Sequence, residues 1–272
     1  MSFLTNICKG KAAGGAPAPS YVNTKSVIFD GVDEYMTAPD DASLTITDNL
    51  SISMWIKGAA SETTLQEWVL SKGLGSDNTR AYEIGKKGSA VNSGKSIHMY
   101  ANMTGGTPFD RLNYYSTGDV FDGTWHHFVA TWNTADVATT GGFNFYIDGA
   151  ADTPIVSDSS GTPGAINAGA GVFRIGTRDT TQKHGDFTIN QLEIWDTGKL
   201  TATDAAALYN SGVPIDPTTI TPTGTAVLVS WWAFGDDASD AVNTTIYDQT
   251  ANNNDFTTFG NMEIGDLVVD SP

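Results

Sequence analysis

Glycoside cleavage requires two carboxylates facing each other across the scissile bond. The nearest approach to such a pair in this chain is Glu193-Ile-Trp-Asp196. On a strand an odd offset turns the two side chains to opposite faces, so the spacing argues against an enzyme. His126 and His127 are adjacent and diverge for the same reason, which excludes a shared metal, and no G-x-S-x-G nucleophile elbow is present. Calcium fits the chemistry better, because its hard oxygen ligands are carboxylates and amide carbonyls. Asp248, Asn252, Asn254 and Asp255 fall within one bend, and Asp30, Asp33 and Glu34 form a second group, close to the first if the terminal strands pair. Sugar binding needs aromatic rings that stack on pyranoses beside amide and charged hydrogen-bonding groups. Arg111, Asn113, Tyr114 and Tyr115 supply such a group, with Trp68 a second platform. Each of these residues also has a plainer use, since Asn and Asp build turns without metal and aromatics fill cores.

The elements that would position these groups are strands. Asp122-Gly123 makes a tight turn, after which His126, Phe128, Ala130 and Trp132 share one face and Trp125, His127, Val129 and Thr131 the other. Phe143, Phe145 and Ile147 then alternate with Asn144, Tyr146 and Asp148 before a second turn at Asp148-Gly149. The pattern predicts two strands at the middle of a two-sheet β-sandwich, with Trp125 and Phe145 among the core aromatics. Ile52, Met54 and Ile56 alternate with Ser51, Ser53 and Trp55, which reads as a half-buried strand. Thr201-Ala-Thr-Asp204 has the spacing of a capping box, and Ala205, Leu208 and Tyr209 give the apolar face of one short helix ending at Gly212.

In these strands the chain resembles the laminin-G-like and pentraxin-type branch of the concanavalin A-like lectin/glucanase superfamily. The residues that carry the resemblance are Trp125-His-His-Phe-Val-Ala130 followed by Tyr146-Ile-Asp-Gly149. Further matches come in order at Phe29-Asp-Gly31, Ser51 to Ile56, Ser71-Lys-Gly73, Tyr82-Glu-Ile84, Phe173 to Arg178 and Leu192 to Asp196. The resemblance implies an all-β jelly roll, two antiparallel sheets over roughly residues 26 to 212. The glucanases of that superfamily carry an E-x-D-x-x-E strand, which is absent here. Asp248 to Asp255 matches a turn that lies near the start of many relatives, with Ala251 and Asn253 where they have glycine. The Ala226–Phe234 segment before it resembles their opening strand. Residues 213–224 are therefore read as a connector, and 225–272 as strands returning to the domain that begins at residue 26.

Charge and composition narrow the function further. The chain has 272 residues and a formal charge of −17, which disfavours nucleic acid or an anionic membrane as partner. A single cysteine, Cys8, excludes an internal disulfide framework, and no apolar run approaches a membrane span. Residues 1–25 stand apart as an arm and tether: Phe3, Leu4 and Ile7 form a short apolar stripe, Lys9 and Lys11 follow, and Gly10 to Pro19 have no capacity for a core. No basic n-region or apolar h-region opens the chain, so synthesis in the cytosol is expected. The resulting expectation is a non-enzymatic structural or binding module. A phage-type virion surface, decoration or fibre-associated protein is foremost, anchored to other proteins of an assembly through Phe3, Leu4, Ile7, Lys9 and Lys11 and touching host glycans. The alternatives are a free lectin or adhesin and, further off, a glycan hydrolase.

Overall fold

The computed structural model describes residues 21, 23–63, 65–73, 80–104, 111–135, 142–160, 164–179 and 184–272; the expected anchor of Phe3, Leu4, Ile7, Lys9 and Lys11 lies outside them. In chain order the strands are β1 (Ser26–Asp30), β2 (Tyr35–Ala38), β3 (Ser51–Lys57), β4 (Glu67–Gly73), β5 (Arg80–Lys86), β6 (Ile97–Asn102) and β7 (Arg111–Tyr115). They continue with β8 (Trp125–Trp132), β9 (Phe143–Ile147), β10 (Ala150–Asp152), β11 (Ile155–Ser160), β12 (Phe173–Ile175) and β13 (Asp186–Asp196). The last are β14 (Val227–Trp232), β15 (Thr245–Ile246), β16 (Phe256–Phe259) and β17 (Leu267–Val268). One α-helix among the described residues, α1 (Ala202–Tyr209), lies between β13 and β14.

The strands form two antiparallel sheets. An eight-stranded back sheet runs β10-β9-β8-β3-β13-β1-β17 with β14 also on β13, and a nine-stranded front sheet runs β11-β7-β6-β5-β4-β12-β2-β16-β15. The chain's last strands enter both: β17 pairs with β1 and β16 with β2. Strand alternation places Phe128, Ala130, Trp132, Phe143 and Phe145 between the sheets, as their period of two predicts. Trp232 packs there against Phe256 at 4.5 Å and Phe173 at 5.8 Å between ring centroids, and its indole N–H donates to the Asn254 carbonyl at 2.9 Å. Full burial of each such phenylalanine contributes about 1.5–3 kcal/mol.

Two expectations about the back sheet need correction. Trp125 is only half-buried, on the outer face: its indole donates to Asp270 at 3.1 Å and the Lys57 ammonium lies 5.1 Å from its ring centre. β3 is buried on both faces rather than one, because α1 and the segment after it cover the outer side. There Val129, Trp195, Leu200, Ala205 and Leu208 make a second apolar cluster. Helix α1 begins with the capping box expected of Thr201 and Asp204, each side chain accepting the other's backbone N–H. It stops at Tyr209, capped by Asn210 in the left-handed region (φ 45°), and a further 3-10 turn carries the chain to Gly212. On β14 a bulge at Val229 interrupts the strand's alternation of faces. Leu228 therefore joins the outer cluster, while Val229 packs on the main core.

Candidate functional site

The outward positions of the front sheet collect most of its polar and aromatic side chains. Since Ile97, Met99 and Ala101 of β6 face the core, His98, Tyr100 and Asn102 must face out. Arg80 of β5 places its guanidinium 5.6 Å from the Tyr100 ring centre and 3.7 Å from the Glu83 carboxylate. Trp68 of β4 is 4% exposed, since the guanidinium of Arg178 lies over its ring at 4.8 Å and His98 packs beside it at 5.3 Å. His98 is held by Asn113 (3.3 Å) and is neutral: burial, reinforced by the charge on Lys87, pushes its pKa down to about 3. Toward the other margin, Arg174 of β12 stands beside Thr37 of β2, which in turn stands beside Thr257 of β16. Tyr35 and Phe259 sit opposite each other on those last two strands, with ring centroids 5.0 Å apart and planes only 9° from parallel. The Tyr35 ring also meets His184 at 5.9 Å, whose Nδ1 donates to the Glu34 carbonyl at 3.2 Å. Phe259 is 40% exposed. The two rings stack on each other, so what remains open is their outer edge and the far side of Phe259, beside the Thr37 and Thr257 hydroxyls and the Arg174 guanidinium.

Two clefts border this face. One, of about 410 Å³, lies where the β1–β2, β3–β4 and β12–β13 connections meet and is lined by Asp30, Glu67, Lys86, His184 and Asp186 among others. The second, of about 350 Å³, lies beside Tyr115 with Val91, Asn92, Thr117 and Ile155.

The expected sugar-binding residues divide accordingly. Arg111, Asn113 and Tyr115 alternate on the outward side of β7, and Trp68 shares that face beneath Arg178. Tyr114 does not join them. It points into the core, edge-on to Phe143 at 5.7 Å, because adjacent residues of a strand cannot share a side. Tyr35, Phe259, Arg174 and Arg178 were not foreseen. The outward parity of Tyr35 is legible from its buried neighbour Met36, but nothing local announces that Phe259 will lie against it.

The residues expected to hold calcium do not fit an ion at the Asp248 turn. The Asp248 carboxylate already accepts four hydrogen bonds, from the backbone N–H groups of Trp231, Thr250 and Asn254 and from the Thr250 hydroxyl, at 2.9–3.1 Å. Asp255 accepts from the Asp248 N–H at 2.9 Å, the Asn254 amide donates to Ser43 and Ser230, and that of Asn252 to the Val229 carbonyl. These side chains build the turn. Asp30 and Asp33 are at the opposite end of the β2–β16 ladder, where Asp30 accepts from the Val32 N–H and Asp33 from the Asn261 amide. Among the described residues no group of three or more His, Cys, Asp or Glu side chains is placed to hold a metal ion.

The carboxylates considered for catalysis are not aimed at a common opening. Glu193 is 2% exposed on the outer side of the back sheet, and burial pushes its pKa up to about 8. It adjoins Ser53, whose hydroxyl is 2.9 Å from His127 Nε2. Burial pushes His127 down to about 3, so on this covered face both groups are shifted toward their uncharged forms. Asp196 ends the same strand, paired with Val227.

Comparison with known proteins bears on the fold. A laminin-G family model, described as concanavalin A-like lectin/glucanases superfamily, matches residues 30–206. No curated protein sequence matches the chain significantly. Among solved structures, a putative carbohydrate binding protein from Bacteroides ovatus aligns with a TM-score of 0.55 at 15% identity, over 92% of this chain and 60% of that one. This chain therefore spans less than two thirds of that protein's length. A heptameric SAP-like pentraxin from Limulus polyphemus aligns at 0.46 with 14% identity, over 76% of this chain and 92% of its own. Domains LG4-5 of the mouse laminin α1 chain align at 0.45 with 11% identity, over 79% and 48%. At 15% identity the first of these likenesses speaks only for the fold. With the family model covering more than half of its length and two antiparallel sheets enclosing one core, the chain belongs to the concanavalin A-like lectin/glucanases superfamily.

Proposed function

We propose that this protein is a non-enzymatic glycan-binding module whose binding face is the outer surface of the front sheet. The observation that carries the reading is the near-parallel Tyr35–Phe259 pair, facing out at 5.0 Å beside Thr37, Thr257 and Arg174. A pyranose presents an apolar C–H face and a rim of hydroxyls, and this surface offers the complement of both. The carbohydrate-binding description of the Bacteroides ovatus protein supports the reading. So does the chemistry elsewhere, because Glu193 and Asp196 share no opening. A glycan array probed with the full chain tests it: binding is expected, weakened about tenfold in Tyr35→Ala and Phe259→Ala variants that melt like the parent. Undiminished binding by both variants would move the site elsewhere.

A second, finer reading is display on a larger assembly such as a virion surface, with residues 1–20 as the anchor. It is supported by how the chain leaves that segment. Tyr21 packs on Trp231 at 5.7 Å, Asn23 donates to Asn190 at 2.6 Å, and the backbone N–H groups of Thr24 and Lys25 donate to Asp236. Tyr21 and Trp231 lie on the outer side of the back sheet, so an anchor departing there leaves the front sheet turned away from its support. Deleting residues 1–20 is expected to preserve the melt and glycan binding but abolish incorporation. Parental incorporation of the deleted protein would favour a free lectin.

A further inference from the structure

The chain contains four arginines, Arg80, Arg111, Arg174 and Arg178. All four lie on the outward side of the front sheet, within a protein whose net charge is −17. No rule of sandwich folding requires this. Lysine is the commoner cation and is found on both sheets, Lys57 on β3 and Lys72 and Lys86 on β4 and β5, whereas every guanidinium is on the front face. Arginine differs from lysine in its planar fork of N–H donors, which matches a carboxylate in a bidentate pair.

Arg174 and Arg178 each keep a buried Nε that has no hydrogen-bond partner. Arg178 lies over the Trp68 ring at 4.8 Å. Stacking uses the π face of the guanidinium and leaves its N–H groups in the plane, and the nearest Asp179 oxygen is 3.7 Å from Nε, beyond hydrogen-bond range. Arg174 spends one Nη1 hydrogen on the Gly73 carbonyl at 2.9 Å, while its Nε is buried with no partner. Burial pulls the Arg174 pKa below the usual guanidinium range, a cost that a bound anion would reverse. Arg174 stands one strand from Tyr35, beside Thr37. A sugar seated against the open edge of the Tyr35–Phe259 stack therefore has its substituents one strand from Arg174.

Resting on the glycan-binding reading, we infer that this face selects carboxylate-bearing glycans, such as uronic or nonulosonic acid polymers. The Tyr35–Phe259 pair takes the sugar ring, and the Arg174 and Arg178 forks take its carboxylate. The acidic remainder of the surface repels such ligands at contact range and so confines them to this face.

The test is an array of carboxylated glycans printed beside the same glycans after methyl esterification, probed with the full chain. One ester removes the charge and keeps the ring and hydroxyls. Signals are expected to fall at least about tenfold on esterification, the effect of losing one charge-assisted pair. Arg174→Gln and Arg178→Gln are each expected to weaken the acid forms by about tenfold and leave the esters unchanged. Equal signals for acid and ester, or binding confined to neutral glycans, would overturn the inference while leaving the glycan-binding reading intact. Silence across acidic and neutral glycans alike would overturn both. The acid–ester comparison uses the unaltered protein, so it decides even if an arginine variant fails to fold.

Discussion

On the back sheet Ser53, His127, Gln191 and Glu193 point away from the core and are buried; on the front sheet Tyr35, Thr37, Arg174 and Phe259 also point away, yet none is fully buried. Both sets are outward residues of alternating strands. They differ in what the remaining chain does. Over the back sheet it lays α1, the connector at Ile215 and the segment at Tyr21, whose hydroxyl and the Ile215 carbonyl both accept from the Gln191 amide. Under that cover charge is expensive, and the groups are tuned to neutrality: Glu193 is pushed up to about 8 and His127 down to about 3, both by burial. At the β12–β2–β16 margin of the front face guanidinium charge persists, whereas Trp68 and His98, outward on β4 and β6, are buried like the back-sheet set. A sheet face thus becomes a second core or a recognition surface according to whether the chain returns over it, even though the strands themselves read alike.

The largest effect should come from the core that both faces share. Phe145→Ala or Trp232→Ala is expected to cost about 3–5 kcal/mol, read from denaturant midpoints. Trp125→Ala, on a half-buried ring, should cost clearly less. A Phe145→Ala protein that unfolds like the parent would break the claim of one common core.

The covered face is sharpened by Glu193→Gln. A carboxyl whose pKa is raised from 4.5 to about 8 by folding stays protonated in the native state while the unfolded chain ionises. Its contribution is favourable below pH 4.5, lost progressively as pH rises through 8, and constant above. The amide cannot ionise. The variant should therefore gain on the parent by roughly 1.4 kcal/mol per pH unit across that window, seen as diverging melting temperatures between pH 5 and pH 8. Parallel profiles would mean that Glu193 carries charge beneath the cover.

The open face is sharpened by Phe259→Ala. Removing a ring that is 40% exposed should shift the melt little and reduce glycan affinity about tenfold. A large stability loss with intact binding would make the Tyr35–Phe259 stack structural and erase the contrast. The smallest effect is expected from chelation. Because the Asp248 oxygens are occupied by N–H and O–H donors, excess EDTA should leave the melting temperature unchanged. A fall of several degrees would show that a metal supports the turn.

Much of the fold was legible along the chain. The period of two at Phe128, Ala130 and Trp132 and at Phe143, Phe145 and Ile147 placed those residues in the core. The Thr201–Asp204 spacing placed a helix start. Where the reading departed from the structure, a non-local event intervened. β3 looked half-buried because its cover lies some 150 residues later; Trp125 was expected inside because an aromatic at an outward position has no local mark of what shields it. The site was less legible still. Residue chemistry nominates Arg111, Asn113, Tyr114 and Tyr115 as one group with Trp68 apart and says nothing of a shared face, while parity sends Tyr114 to the core.

By itself the sequence determined parity, turn positions and charge: which side chains leave a strand on the same side, where the chain bends, and that the body is acidic. These depend on local backbone geometry and composition. The tertiary structure alone decided which outward side chains meet and which are covered. Tyr35 faces Phe259 because β16 returns to pair with β2, and Glu193 lost its charge because Tyr21 and α1 close over the back sheet. Strand pairing and burial are contacts between distant segments, and desolvation acts through whatever those segments bring, so no reading of neighbouring residues contains them.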